Sequence, residues 1–166
     1  LDPAVVRAEK AASLEKLAGY QNADGSFPWF PGGRGDLYMT LYVLDGLAEA
    51  ARYGVEIPRD TAQKALRYAL REIPRHMKPE ESETSLLLYA AYAVTGFPAG
   101  WPEHRTALQY ARKWAQYADK QSNAMTAFGK AYAAQVWLRL GDKKLAGSYL
   151  DRAMDGARED AVSGVY

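Results

Sequence analysis

Apolar side chains recur along most of the chain with the period of a helix, and alternating strand patterns are almost absent. Seven helices are predicted, approximately over Pro3–Ala18, Asp36–Tyr53, Arg59–Ile73, Ser82–Thr95, Pro102–Ala118, Ser122–Leu140 and Lys143–Glu159. Gly54, Gly96 and Gly141 follow the last apolar turns as stop signals, and Ser82 and Ser122 are candidate caps. The pattern predicts an all-α fold.

The predicted helices are of two kinds. The third and fifth are apolar on one face only, with stripes at Ala62, Ala65, Leu66, Ala69, Leu70 and Ile73, and at Leu108, Ala111, Trp114, Ala115 and Ala118. The fourth, LLLYAAYAV, is apolar nearly all round, and the second (LYVLDGL) and sixth (AYAAQVWL) come close. A helix without a polar face has to be enclosed by others, so inner and outer helices are expected to alternate.

The three inner segments also align with one another. They match on Thr40, Thr84 and Thr126, which are spaced by 44 and 42 residues, and each segment ends at a glycine. This period overlaps the ~40–47 residues of HEAT and armadillo repeats, so an open solenoid stays possible. The alternation of inner and outer helices favours an α/α toroid of helical hairpins. Residues 1–166 are predicted to be one such domain, or part of a larger ring.

Composition and charge exclude several classes of function for this chain. The chain has 21 basic and 20 acidic residues, a formal net charge of +1 and no cysteine, which excludes thiol catalysis and disulfides within it. No apolar run reaches the ~18 residues of a membrane span. The basic segment Arg59–Lys78 lacks alternating aromatics and is interpreted as a solvated helix face, so no nucleic-acid partner is predicted.

Because the sequence opens at Leu1 and closes on SGVY, we expect a fragment, with any signal peptide outside it.

Metal and cofactor sites are not predicted. His76 precedes Glu80 by four residues, but Pro79 interrupts the helix there and no third ligand is nearby, so His76 and His104 are interpreted as structural or surface residues.

The segment QNADGSFPWFPGGRGD, residues 21–36, is called the connector below. Asn22, Asp24 and Ser26 alternate as in a calcium loop, but Phe27 and Gly33 stand where that loop needs glycine and glutamate. We therefore expect an Asp24-Gly25 turn that reverses the chain between the first outer and the first inner helix. Phe27 and Trp29 are expected to pack over this hairpin.

Acidic residues precede the inner helices, at Asp36, at Glu80, Glu81 and Glu83, and at Asp119. If the inner helices run parallel, these carboxylates share one rim, and two of them could serve a glycosidase as acid and base. Helix capping explains the same positions without catalysis and is preferred. Capping by Asp36 is also preferred over an adhesion role for the Arg34-Gly35-Asp36 tripeptide.

A resemblance adds to this interpretation. Several parts of the chain resemble the thioester-domain region of bacterial α2-macroglobulin-like proteins. They are Leu14 and Leu17 before Gln21, the Asn22–Gly25 turn, two aromatics, paired glycines, Met39-Thr40 and the closing DGAREDAVSGVY. They cover most of the chain. The residues of the shared structural motif are Gln21, Asp24, Gly25, Phe27, Trp29, Gly32, Gly33, Asp36 and Thr40. The motif is similar, more loosely, to the repeat of terpenoid cyclases, although the chain has no Asp-rich acid motif.

The resemblance implies a non-catalytic toroidal domain within a periplasmic or extracellular protease trap. Its partners would be the other domains of the parent chain and, through the parent, the target proteases. The family's reactive Cys-Gly-Glu-Gln segment is absent from this sequence, and no histidine lies between Gly25 and Asp36 to assist transfer to hydroxyls. A toroidal carbohydrate-active enzyme using rim carboxylates and a free-standing helical-repeat scaffold are the competing hypotheses.

Overall fold

The computed structural model describes residues 2–121 and 125–163, and within them the chain forms seven helices and one two-stranded sheet. The all-α prediction is confirmed. The elements are α1 (Pro3–Gly19), β1 (Phe27–Pro28), β2 (Gly35–Asp36), α2 (Leu37–Arg52), α3 (Arg59–His76), α4 (Thr84–Val94), α5 (His104–Lys120), α6 (Ala127–Arg139) and α7 (Lys143–Ser163).

The helix ends follow the chain's capping residues, with two differences from prediction. Ser82 is not the cap of α4, because this helix begins at Thr84 with Glu83 in the N-cap position; the Ser82 N–H bonds to the Lys78 carbonyl at 2.9 Å. Ser122 lies outside the described residues, and α6 begins at Ala127 with Thr126 as its cap. Gly54 has a φ of +76°, which ends α2 as predicted.

Two compact units divide the chain, residues 1–74 and 75–166. In the first, β1 and β2 are antiparallel, with Phe27 opposite Asp36, and both contact α2. The interior of this unit is supplied by Leu41, Leu44 and Leu47 of α2. It also contains the predicted apolar stripe of α3, in which Ala62, Ala65, Leu66, Ala69, Leu70 and Ile73 are all buried.

The second unit is organised around α4, which contacts α5 and α6, while α6 packs along α7. Every residue from Leu87 to Val94 is buried, so α4 is enclosed on all sides as its sequence predicts. The buried stripe of α5 is Ala107, Ala111, Trp114, Ala115 and Ala118. Leu108, which the apolar spacing assigns to this stripe, is only half-buried.

Polar side chains tie the helices of this unit together. The Arg139 guanidinium lies 3.7 Å from the Tyr92 ring centroid and donates to the Tyr92 carbonyl near the end of α4. The Tyr149 hydroxyl donates to Asp119 at 2.7 Å, joining α7 to α5. Burial and the Asp119 carboxylate together raise the pKa of Tyr149 to about 12.

The other two inner helices are less enclosed than predicted. Tyr38 and Tyr42 of α2 are 47% and 61% exposed, and Phe128 of α6 is 65% exposed. Each helix therefore buries one side within its own unit and keeps large apolar side chains on another. None of the helices in the described ranges is long and apolar enough to cross a bilayer.

Candidate functional site

The connector begins with a tight turn that its backbone closes twice. The Gly25 N–H donates to the Asn22 carbonyl at 2.9 Å, and the Asn22 N–H donates to the Ser26 carbonyl, also at 2.9 Å. Gly25 has a φ of +92°, a left-handed conformation that glycine adopts more readily than residues with a Cβ. The predicted Asp24-Gly25 turn is thus where the chain reverses.

The alternating polar side chains of the turn bind one another. Asp24 Oδ1 accepts from the Ser26 N–H at 3.0 Å and from the Ser26 hydroxyl at 2.6 Å, and Asn22 Nδ2 donates to the same hydroxyl oxygen at 3.1 Å. Burial raises the pKa of Asp24, but the hydrogen bonds from Ser26 and the charge of Arg71 outweigh it and leave the pKa below its usual value. This network accounts for the calcium-like spacing without an ion. Among the described residues, no group of three or more His, Cys, Asp or Glu could hold a metal.

Gln21 fastens this turn to the start of α3. Its Nε2 donates to the Gly25 carbonyl at 3.0 Å and to the Thr61 carbonyl at 2.9 Å. The turn also lies directly against the α3 backbone, because a Cβ placed on Gly25 would stand 2.4 Å from the Lys64 carbonyl oxygen. A side chain at residue 25 is therefore excluded by space as well as by φ.

Thr40 joins the sheet to the first turn of α2. Its buried hydroxyl donates to the Asp36 carbonyl at 2.6 Å and accepts the Phe27 N–H at 2.9 Å. The Asp36 carboxylate accepts the Met39 N–H at 2.8 Å, which makes Asp36 the N-cap of α2. The Phe27 side chain is 2% exposed and anchors the connector in the core.

The glycines of the connector have separate functions. Gly32 has a φ of +75° and open space around it, whereas the Gly33 N–H closes a turn onto the Phe30 carbonyl at 3.0 Å. Gly35 lets the two strands approach, since a Cβ there would stand 2.0 Å from Ser26 Oγ. The hairpin thus depends on small residues at its base and is open at its tip.

Trp29 lies on the outer side of the connector and is only partly covered. It is 63% exposed and stacks on Tyr38 of α2, with ring centroids 6.3 Å apart and planes 13° apart. Phe30 is 67% exposed, and Tyr42 lies one turn beyond Tyr38. Trp29, Phe30, Tyr38 and Tyr42 are called the aromatic surface below.

Four of the five candidate rim carboxylates engage protein groups near them in sequence or in space. Asp36 caps α2, Glu81 pairs with Lys78 at 3.0 Å, and Glu83 accepts the Ser85 hydroxyl at 3.1 Å. Asp119 lies within α5 and accepts from Tyr149. These contacts agree with the structural interpretation of the carboxylates and do not require a catalytic pair.

Several residues of the connector network do not stand out in the sequence as part of it. Thr61 and Lys64 are about forty residues from the turn and carry no local signal. Gly35 is conspicuous only within the adhesion-like tripeptide, and Ser26 only as a possible calcium ligand. Ser26 is nevertheless fully buried.

Comparison with known proteins identifies one relative by sequence and one by structure. It is 34% identical over 83 aligned residues to an alpha-2-macroglobulin of Thermotoga maritima, an alignment that covers 43% of this chain and 5% of that protein. The cryo-EM structure of E. coli alpha-2-macroglobulin in its native conformation superposes with a TM-score of 0.60 over 87% of this chain. The chain is similar in sequence and in fold to a region of alpha-2-macroglobulin.

The similarity covers only a small part of each relative. The superposed region shares 18% identity, which establishes the fold, and it is 9% of the E. coli alpha-2-macroglobulin chain. The chain therefore spans only a small part of the length of the relatives it matches. No protein-family model matches it. The comparisons do not favour the carbohydrate-active enzyme.

Proposed function

We propose that the chain is a non-catalytic structural and interaction domain of a bacterial alpha-2-macroglobulin-like protease inhibitor. The observation that carries the proposal is the superposition of 87% of this chain on a region making up 9% of E. coli alpha-2-macroglobulin. The sequence identity to the Thermotoga maritima protein supports it independently. The region would correspond to the thioester domain, folded as part of an α/α toroid and located in the periplasm or outside the cell.

The aromatic surface is the part of the structure best suited to contact other domains of such a parent. Interfaces are enriched in tyrosine and tryptophan, because these side chains bury a large area at a small cost in conformational entropy. Trp29 and Tyr42 are more than half exposed, and each lies two residues from a member of the hydrogen-bonded pair Phe27 and Thr40. A rigid, exposed aromatic group of this kind suits an interface between domains.

The function is tested in the longer protein that contains this chain. A protease incubated with a trapping protein should keep its activity on a small peptide substrate and lose most of its activity on a large protein substrate. If both activities survive unchanged, or if both are lost through ordinary active-site inhibition, the trapping proposal is wrong.

The interface is tested with surface variants. Trp29→Ala combined with Tyr42→Ala should cost the isolated chain no more than about 1.5 kcal/mol, because Trp29 loses its stack on Tyr38, and the longer protein should lose more than this. In the longer protein the same pair should lower the melting temperature and speed limited proteolysis. Tyr53→Ala is the matched control, because Tyr53 is 85% exposed and lies outside the aromatic surface. Equal effects of the two changes would contradict the assignment of the interface.

A further inference from the structure

The outward side of α5 carries cations without ion-pair partners. Arg105, Arg112 and Lys113 are exposed on one side of this helix, and among the residues that the structure describes none of the three forms an ion pair. The acidic residue of α5, Asp119, is occupied by the Tyr149 hydroxyl. The positive charge of this side is therefore not neutralised from within the helix.

The basic helix α3 provides a contrast within the same chain. Lys64 pairs with Asp60 at 2.7 Å and Arg71 with Glu72 at 2.9 Å, so two of its cations are paired with acidic residues on the same helix. The charge on α5 is thus a local property and does not reflect the composition of the chain, whose net charge is only +1.

The shape of the surface adds to its charge. A shallow open groove of about 310 Å³ runs along α5, lined by Arg105, Leu108, Gln109, Arg112, Lys113 and Gln116. These six residues are called the α5 groove below. Leu108 is half-buried and supplies an apolar floor, while the two glutamines can donate or accept hydrogen bonds. Cations around a single aliphatic side chain suit a segment that carries carboxylates and one apolar anchor.

We propose that the α5 groove binds an acidic protein segment, in which carboxylates engage Arg105 and Arg112 and an aliphatic side chain contacts Leu108. Arginine matches a carboxylate with two parallel hydrogen bonds, which gives such a segment a defined orientation.

Other anionic partners fit the groove less well. Trp114 of α5 is buried, and Tyr110, which stacks on it, is half-buried, so neither ring offers a fully exposed platform for nucleic-acid bases. Leu108 is the apolar side chain in the groove, which is too little to insert into a lipid surface. The proposal does not depend on the proposed function, because it concerns the isolated chain.

Binding is measured on the 166-residue chain by fluorescence anisotropy. The probe is a rhodamine-labelled peptide of alternating glutamate pairs and leucines, and its companion carries glutamine in place of every glutamate. The acidic peptide should bind and the glutamine peptide should not. Affinity should fall as ionic strength rises from about 0.01 M to about 1 M, because the Debye length shrinks from ~30 Å to ~3 Å.

Two charge-matched double variants locate the site. Arg112→Glu with Lys113→Glu should weaken binding at least about tenfold, since like charges then face the peptide. Lys143→Glu with Lys144→Glu changes the net charge equally, at exposed positions of α7, and should leave affinity within about twofold because surface charges outside the contact are screened. Circular dichroism checks that both variants stay helical.

Each alternative outcome is decisive. Equal weakening by the two double variants would show a nonspecific response to net charge and overturn the proposal. So would absence of peptide binding, or binding that single-stranded DNA or phosphatidylserine vesicles match in affinity and in dependence on Arg112 and Lys113.

Discussion

Replacing Gly25 by alanine tests how the connector meets α3. Gly25 has a φ of +92°, and a Cβ there would stand 2.4 Å from the carbonyl oxygen and 2.8 Å from the carbonyl carbon of Lys64. The left-handed conformation alone costs alanine about 1 kcal/mol. The clash adds about 1–3 kcal/mol, because a helix backbone yields less readily than a flexible side chain. We therefore expect a loss of about 2–4 kcal/mol in the free energy of unfolding, which combines these two costs.

Gly54→Ala is the matched control. Gly54 has a φ of +76°, and a Cβ placed there would meet nothing within 4 Å, so this change should cost only the conformational term, about 1 kcal/mol. Urea unfolding followed by circular dichroism gives both values, and the difference between the two variants measures the contact with α3. If Gly25→Ala costs no more than Gly54→Ala, the turn does not lie against Lys64 and the described packing of the connector is wrong.

Two further predictions concern buried hydroxyl groups. Thr40→Val leaves the buried Phe27 N–H without its acceptor at nearly constant volume and should cost about 1–3 kcal/mol, measured by the same urea titration; a loss below about 0.5 kcal/mol would contradict the contact. Because folding raises the pKa of Tyr149 from 10.0 to about 12, the unfolded chain releases this proton first, so stability should fall as pH rises between those values. Tyr149→Phe should flatten that part of the pH profile, and an unchanged slope would exclude Tyr149 as its cause.

Local patterns predict the helices and part of the connector. The buried stripe of α3 and the enclosed α4 follow from the spacing of apolar side chains, and Asp36 as a cap follows from its position before an apolar run. The exposure of Trp29 could not be read in the same way. An aromatic residue beside a turn can pack inward, as Phe27 does, or stack on a neighbour across the surface, and only the path of the backbone decides between them.

The repeat alignment illustrates a further limit of sequence patterns. Thr40 is the fourth residue of α2, Thr84 is the first residue of α4, and Thr126 is the N-cap of α6. Their hydroxyl groups therefore stand at different levels of their helices, although the sequences align on them. Threonine is favoured near a helix start for several reasons, so a shared residue type there does not establish an equivalent position.

The bond from Gln21 to Thr61 has a consequence for the order of folding. It joins groups forty residues apart, and the turn it holds also needs the α3 backbone beside Gly25. Closing a loop of that length costs conformational entropy, and the contact contributes to stability only after the loop has closed. The connector can therefore reach its final form only after α3 has docked. Hydrogen-exchange protection of the Ser26 and Phe27 amides should appear late in refolding, and the time at which it appears would report when the first unit has assembled.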